Sequence, residues 1–311
     1  MTDPVVCARA MMSPDNCAAE TERLIAAALY HRPVYMAFPF DVANLPVVGS
    51  APPAAVVPQT DQVALEAAVA AIADALNVAK SACILPGILI PRCGLGAEAI
   101  AVVEASGLPF AAMFMDKSAL DETHPQYIGM YDRRLMNEEI RAFVEGCDCV
   151  LGIGAMLTDF SSGAFTARID RLKSINILHN SVRVGAALYQ NVQMKDVLPA
   201  LARKLTKKQV QGPKRHGLGQ PVGQSNDKIS VQYLYPRWEQ MLKPGDILIA
   251  ETGTTSMGMG FAQMPKGAVF HNQSLWGSIG WATPAAFGAA LAAPERRTIL
   301  ITGEGSHQLT A

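Results

Sequence analysis

At 311 residues, half of them hydrophobic and 17% charged, the chain carries the apolar content of a sizeable core and excludes general disorder. A formal net charge of −1 supplies no basic field for nucleic acid, and no apolar run approaches the ~20 residues of a membrane helix. The opening MTDPVVCARAMMSPDN lacks the basic and hydrophobic regions of a secretion signal, so a cytoplasmic location is the expectation.

Short β-rich runs alternate with Ala-rich amphipathic stretches, the pattern of an α/β fold with parallel sheets. A first helix is predicted over NCAAETERLIAAALYH and a strand over PVYMAFP. One helix and one strand cannot form a core, so this portion reads as the end of a larger domain. NLPVVGSAPPAAVVPQT, rich in proline and small residues, reads as an inter-domain linker.

The next unit opens with a helix over 61–79 and the strand SACILPG. Helix AEAIAVVEAS, strand PFAAMFM, helix MNEEIRAFVEGC, strands DCVLGIG and SINILH, and helix MKDVLPALARKL follow. Those alternations make a complete doubly wound domain. TKKQVQGPKRHGLGQPVGQSNDK is polar and lacks interleaved aromatics, so it reads as a solvated linker. A third unit runs from VQYLYPRWEQMLKPGDILIAETG through AVFHN and LWGSIGWATPAAFGAALAAP to RRTILITGEGS. It has two or three strands where a free-standing sheet needs about five, and the sequence is therefore expected to be cut at both ends.

The six cysteines, at 7, 17, 83, 93, 147 and 149, and the six scattered histidines form no zinc-type pattern, and the thiols are expected to be free and buried. Gly94-x-Gly96-x-x-Ala99, with Asp116 further on, and Gly152-x-Gly154 echo a dinucleotide fingerprint, but each reads as plain loop glycine. A dinucleotide-binding oxidoreductase would rest on these two clusters alone. GEGSHQLTA has no lysine, which excludes a P-loop.

ETGTTSMG, SLWGSIGW, AAFGAALAAPERR and GEGSHQLTA, in that order, resemble the pyrophosphate-binding domain of thiamine-diphosphate-dependent 2-oxo-acid decarboxylases, the pyruvate, indolepyruvate and phenylpyruvate decarboxylase group. RPVYMAFPFDV resembles the last strand of that family's pyrimidine-binding domain, and DETHPQYIGMY and GAMLTDFSSGAF resemble its central domain. The resemblance implies a pyrimidine-domain end at 1–48 and a central Rossmann-like domain at 58–206. A linker at 207–228 and the first half of a pyrophosphate domain at 229–311 complete the expected layout.

By position, the resemblance implies that Gly303, Gly305 and Ser306 hold the diphosphate and that Glu304, where the family carries Asp, binds Mg²⁺. Gly253 and Thr254 also serve the diphosphate. Gly277, beside Ser278, accepts from the cofactor amine, and Ile279 wedges between its two rings. The plain reading of Ile279 and Trp276 is core packing. Gln273 borders the substrate pocket or is a surface polar residue. No catalytic residue is expected within 1–311: the family's glutamate and paired histidines precede this start, and the Asn half of its metal motif follows Ala311. This polypeptide is thus expected to be inactive, to bind the cofactor weakly and to aggregate. The parent would be a homodimer or homotetramer acting on a small 2-oxo acid. Leu89 and Ile90 stand near the place of the family's allosteric cysteine, so substrate activation is not expected. A carboligase resembling acetolactate synthase and a non-catalytic α/β binding protein are the competing readings.

Overall fold

The computed structural model describes residues 5–29, 33–48, 59–132 and 137–310. The chain divides into two compact units, Met1–Gln59 and Thr60–Ala311. In the first, strand β1 (Ala8–Met11), helix α1 (Cys17–Leu29) and strand β2 (Val34–Ala37) make one β-α-β turn. The strands are parallel, Ala8 beside Val34 and Met11 beside Ala37. Asn16 closes the turn into α1: its Oδ1 accepts from the Ser13 amide at 2.8 Å, and its Nδ2 donates to the Met11 carbonyl at 3.0 Å. Strand β1 corrects the expectation of a lone strand here. An interior arginine and exposure at alternate positions mask it in the sequence. Most of the proline-rich linker, 49–58, lies outside the described residues.

The second unit begins with α2 (Gln62–Val78), whose first turn is capped by Asp61 Oδ1, accepting from the Val63 and Ala64 amides at 2.9 and 3.0 Å. Then come β3 (Ala82–Pro86), the single turn α3 (Leu89–Arg92), α4 (Gly96–Ser106), β4 (Phe110–Ala112) and β5 (Tyr127–Met130). Helix α5 (Glu138–Gly146), β6 (Cys149–Ile153), β7 (Ser174–Ile177), β8 (Ser181–Val184), β9 (Ala187–Gln190) and α6 (Met194–Ala202) follow. The strands form one sheet in the order β5-β4-β3-β6-β7-β8-β9, parallel from β5 through β7 and closed by an antiparallel hairpin. The expected doubly wound domain is therefore present, with a mixed rather than all-parallel edge. Strands β5, β8 and β9 escape the pattern reading, since QYIGMY is broken by Gly129 at φ +117° and the hairpin is half polar.

Alternation along the central strands splits the core between two faces. Ala82, Ile84, Cys149, Leu151 and Ile153 pack under α2, α4 and α6. Cys83, Leu85 and Val150 face the other way, under α5 and the irregular segment 154–173. A doubly wound sheet normally carries a helix between neighbouring parallel strands. The β6–β7 crossover carries only turns and one 3-10 turn, Arg171–Lys173, and leaves the second face open there.

Past the 207–228 stretch, α7 (Val231–Met241), β10 (Ile247–Ala250), α8 (Thr254–Gly260), β11 (Val269–His271), α9 (Ala282–Ala292), β12 (Thr298–Ile301) and α10 (Glu304–Gln308) build a three-stranded parallel sheet, β11-β10-β12. Its amino edge is tightly bonded. Asp246 accepts from the Arg297 guanidinium (Nε at 2.9 Å) and the Lys243 amide at 2.7 Å, while Arg296 donates to the Gly245 and Gly267 carbonyls.

A buried ion pair ties this sheet to the central one. Lys117 and Glu122, each 4% exposed, sit in the turn between β4 and β5. Lys117 Nζ reaches both Glu122 oxygens at 2.9 Å and the Ala262 carbonyl at 2.7 Å. Glu122 accepts from the Met264 amide, and Ser118 Oγ accepts from the Phe270 amide at 2.8 Å. Among the described residues, no helix is long and apolar enough to cross a membrane.

Removing one partner of this pair strands a buried charge. K117M alone is expected to cost about 3–5 kcal/mol in urea unfolding, and K117M/E122L to recover most of that loss. A second expectation concerns Asp116, which is fully buried at the turn after β4. Its Oδ1 accepts from the Ile88 amide at 2.7 Å, and burial pushes the carboxyl up to about 7 against the pull of that amide and of Arg92. Between about pH 4 and 7 the folded chain holds a proton that the unfolded chain has released, so stability falls as pH rises, by up to about 1.4 kcal/mol per unit. D116N is expected to match the parent near pH 4 and to exceed it at pH 8, read as the difference between the two urea midpoints.

Candidate functional site

All three strands of the β11-β10-β12 sheet run the same way, so their carboxyl ends deliver three loops to one edge. With β10 in the middle, its two neighbours are reached by crossovers to opposite sides, the arrangement that opens a crevice at a strand's carboxyl end. Glu251–Gly253 follows β10, 272–281 follows β11, and Thr302–Gly303 follows β12.

Glu251, 2% exposed, organises the edge. Its Oε2 accepts from the Gly280 and Ala282 amides at 3.1 and 3.3 Å, and its Oε1 from the Thr252 amide at 3.0 Å. One carboxylate thus fixes the start of α9 and the exit of β10, as helix N-termini favour negative charge. Thr252 Oγ1 donates to the Gln273 carbonyl at 3.0 Å. Thr310 Oγ1 donates to the Gly280 carbonyl at 2.6 Å, joining the segment after β12 to the same loop. Gly280 is required by this approach: at φ +87°, a Cβ there would stand 2.9 Å from Leu309 Cβ and 3.3 Å from the Ser306 carbonyl.

The sequence-predicted residues fall on these loops. Gly253, at φ +137°, precedes α8, whose first residue is Thr254. Gly303 precedes α10, whose first turn holds Glu304, Gly305 and Ser306. The first backbone bonds of these helices run from Met257 to Gly253 and from His307 to Gly303, so the amides before them have no intrahelical partner. No atom lies within 4 Å of a Cβ built on Gly253, Gly303 or Gly305, so the backbone there is open to a ligand. Gly277 lies at φ +61° in the middle loop, with Ser278 exposed beside it. Ile279 and Trp276 are 54% and 80% exposed, which sets aside core packing for both. Gln273 Oε1 accepts from the Trp276 amide at 3.3 Å. Glu251, Thr252 and Gly280 carry the geometry, yet sequence reasoning passed over them. The signal was an acidic residue directly after the apolar run ILIA.

A cleft of this shape suits a diphosphate and a hard cation: converging first-turn amides, bare glycine backbone and an exposed carboxylate on Glu304. Among the described residues, no three His, Cys, Asp or Glu side chains gather as a metal site; at this edge Glu251 is buried and engaged with amides, and Glu304 is exposed. Gln273 and Trp276 also border a cavity of about 780 Å³ against the open face of the central sheet, floored by Val150, Gly152 and Asn176. The cysteines are all free, and Cys83, Cys147 and Cys149 are buried. Cys7, against the expectation of buried thiols, is exposed, and Cys93 is half-buried with its Sγ 3.6 Å from His179 Nδ1.

Residues 69–204 match the family model of the thiamine pyrophosphate enzyme central domain, and residues 250–311 match the C-terminal TPP binding domain. An alpha-keto-acid decarboxylase of Mycobacterium tuberculosis (strain H37Rv) is 33% identical over 319 residues, covering 98% of this chain and 56% of the relative. The corresponding protein of Mycobacterium leprae is 32% identical over 100% of this chain and 55% of its own length. A pyruvate decarboxylase of Aspergillus fumigatus is 37% identical over 90% of this chain and 51% of its own. The chain spans about half the length of the curated relatives it matches.

The role of Glu251 is open to hydrogen exchange. E251Q is expected to speed exchange of the Gly280 and Ala282 amides by about tenfold, the worth of one charge-assisted bond, while the exposed control E295Q leaves them unchanged.

Proposed function

This chain belongs to the thiamine pyrophosphate enzymes, in their 2-oxo-acid decarboxylase group, and from that premise we propose that its β11-β10-β12 edge binds the diphosphate end of the cofactor with Mg²⁺. The reaction served is non-oxidative: a 2-oxo acid is converted to an aldehyde and CO₂. The single observation that carries this reading is the convergence of three glycine-bearing loops on one carboxyl edge, the first two joined through Glu251 and the segment after β12 through Thr310. In this proposal 1–48 is the end of a pyrimidine-binding domain, 58–206 the central domain, 207–228 a linker and 229–311 a portion of the pyrophosphate domain. A small 2-oxo acid as substrate, a homodimeric or homotetrameric parent and a cytoplasmic location belong to the same reading.

The residues divide the work by position. Amides at the starts of α8 and α10, with Gly253, Thr254, Gly303, Gly305 and Ser306, bind and orient the diphosphate. Glu304 ligates Mg²⁺ through a carboxylate one methylene longer than aspartate, which its exposed place in the first turn of α10 can accommodate. The Gly277 carbonyl, with Ser278 alongside, accepts from the cofactor amine, and the exposed Ile279 gives its two rings an apolar support. When bound, the cofactor supplies the electron sink that lets CO₂ leave. Gln273 borders the substrate side, held by its bonds to Trp276 and Thr252.

One carboxylate makes a thin metal shell, so the 311-residue polypeptide is expected to bind thiamine diphosphate weakly and to turn over no 2-oxo acid. Measurable decarboxylation by the purified chain would overturn that expectation. Titration of Mg²⁺ with thiamine diphosphate present, followed by calorimetry, tests the site itself. E304A is expected to raise the half-saturating Mg²⁺ at least about tenfold and E304D to preserve binding, because a charged ligand contact is worth about 1.5–3 kcal/mol. Equal Mg²⁺ titrations for the parent and E304A would remove Glu304 from the metal.

A further inference from the structure

Glu304 has a second metal-ligating side chain beside it, which the proposed cofactor contacts leave unused. Glu304 opens α10 and His307 stands three residues on, in its last turn. Residues at i and i+3 of a helix share a face, with Cβ atoms about 5–6 Å apart. Helical side chains lean toward the amino terminus, which carries His307 back over the turn that Glu304 begins. Both side chains are exposed at the carboxyl edge of the β11-β10-β12 sheet.

The imidazole is held in place. His307 Nδ1 lies 3.0 Å from the Oγ1 of Thr283, the second residue of α9. The start of α9 is itself fixed, because Glu251 Oε2 accepts from the Ala282 amide next to Thr283. Thr310 Oγ1, donating to the Gly280 carbonyl, ties the segment after α10 to the same loop. With Nδ1 engaged, Nε2 has no hydrogen bond or ion pair among the described residues, and neither has the Glu304 carboxylate. A metal-bound imidazole is arranged in this way: one ring nitrogen takes the ion while the other donates its proton to a fixed oxygen. A Glu and a His at this spacing on one helix are a recurrent ligand pair.

We propose that Glu304 and His307 form a two-side-chain site for a first-row transition-metal dication of the Co²⁺, Ni²⁺ or Zn²⁺ class, which it takes ahead of Mg²⁺. Mg²⁺ is held by oxygen and gains little from an imidazole, whereas that nitrogen strengthens the binding of the softer ions. No third His, Cys, Asp or Glu gathers with the pair among the described residues, so diphosphate and water oxygens would fill the rest of the shell. Thr283 acts through His307, as a positioning residue. The site rests on the proposed placement of Glu304 at the metal of the cofactor edge, and adds His307 to it.

Visible absorption of Co²⁺ titrated into the whole chain with thiamine diphosphate present tests it, because the bands of the ion respond to nitrogen coordination. A saturable band is expected, with half-saturation at least about tenfold below that of Mg²⁺ followed by calorimetry. H307Q can keep a bond to Thr283 but offers no imidazole. It is expected to shift the band and weaken Co²⁺ at least about tenfold, while Mg²⁺ stays within about twofold. T283V is expected to weaken Co²⁺ about tenfold and Mg²⁺ not at all. The exposed control H216Q should match the parent, and all these variants should keep its melting temperature. Co²⁺ spectra and titrations identical in the parent and H307Q, or an equal loss in H216Q, would overturn the proposal. If Mg²⁺ still depends on Glu304 in that case, the cofactor edge stands and only the role of His307 falls. Mg²⁺ titrations indifferent to E304A would remove both.

Discussion

The pairing of Lys117 with Glu122 is the constraint on which the second unit depends. Both charges are out of water, so neither is tolerable without the other, and their further bonds include those to the Ala262 carbonyl and the Met264 amide. These backbone groups belong to the segment leading into β11. A turn of the central sheet therefore sets where β11 begins and, through it, where the loop of Gln273 and Trp276 emerges. Arg215, donating to the Glu122 carbonyl, and Asp121, accepting from the Gly267 amide at 3.3 Å, extend the same joint. The quoted stretch DETHPQYIGMY carries this joint, which gives a physical reason for its acidic pair.

Two carboxylates thus act in sequence. Glu122 locates the strand, and Glu251 then fixes the loops at its far end by accepting from the Thr252 amide after β10 and from the Gly280 and Ala282 amides where the 272–281 segment runs into α9. Neither touches the proposed ligand. Their effect is pre-organisation: bare amides of α8 and α10 are held facing outward, so binding need not pay for ordering them. The exposed indole of Trp276, on the loop that carries Gly277, also lines the cavity against the central sheet.

Much of the fold was legible because central parallel strands are apolar on both faces: ACILP and CVLGI are fully buried runs that could hardly be anything else. Helix α2 was legible from its apolar positions at helical spacing, whereas its Asp61 cap emerged only in the structure. What failed was at the margins. Strand β1 is half exposed, and β8–β9 form an edge hairpin in which packing, not pattern, decides conformation. The site divided in the same way. Glycine turns were readable from the residues that must lie bare, whereas Glu251 was hidden, since one buried acid after a strand has meaning only once its amide partners are in place.

The amino edge of the β11-β10-β12 sheet, where Asp246, Arg296 and Arg297 bond backbone and side chain across all three strands, contrasts with the carboxyl edge of loops and open glycines. Stability is concentrated at one end and chemistry at the other. Substitutions in the loops are therefore separated from the bonds that keep the strands in register, and ligand preference can drift without loss of the fold. The sheet is, in effect, a fixed socket with an interchangeable face.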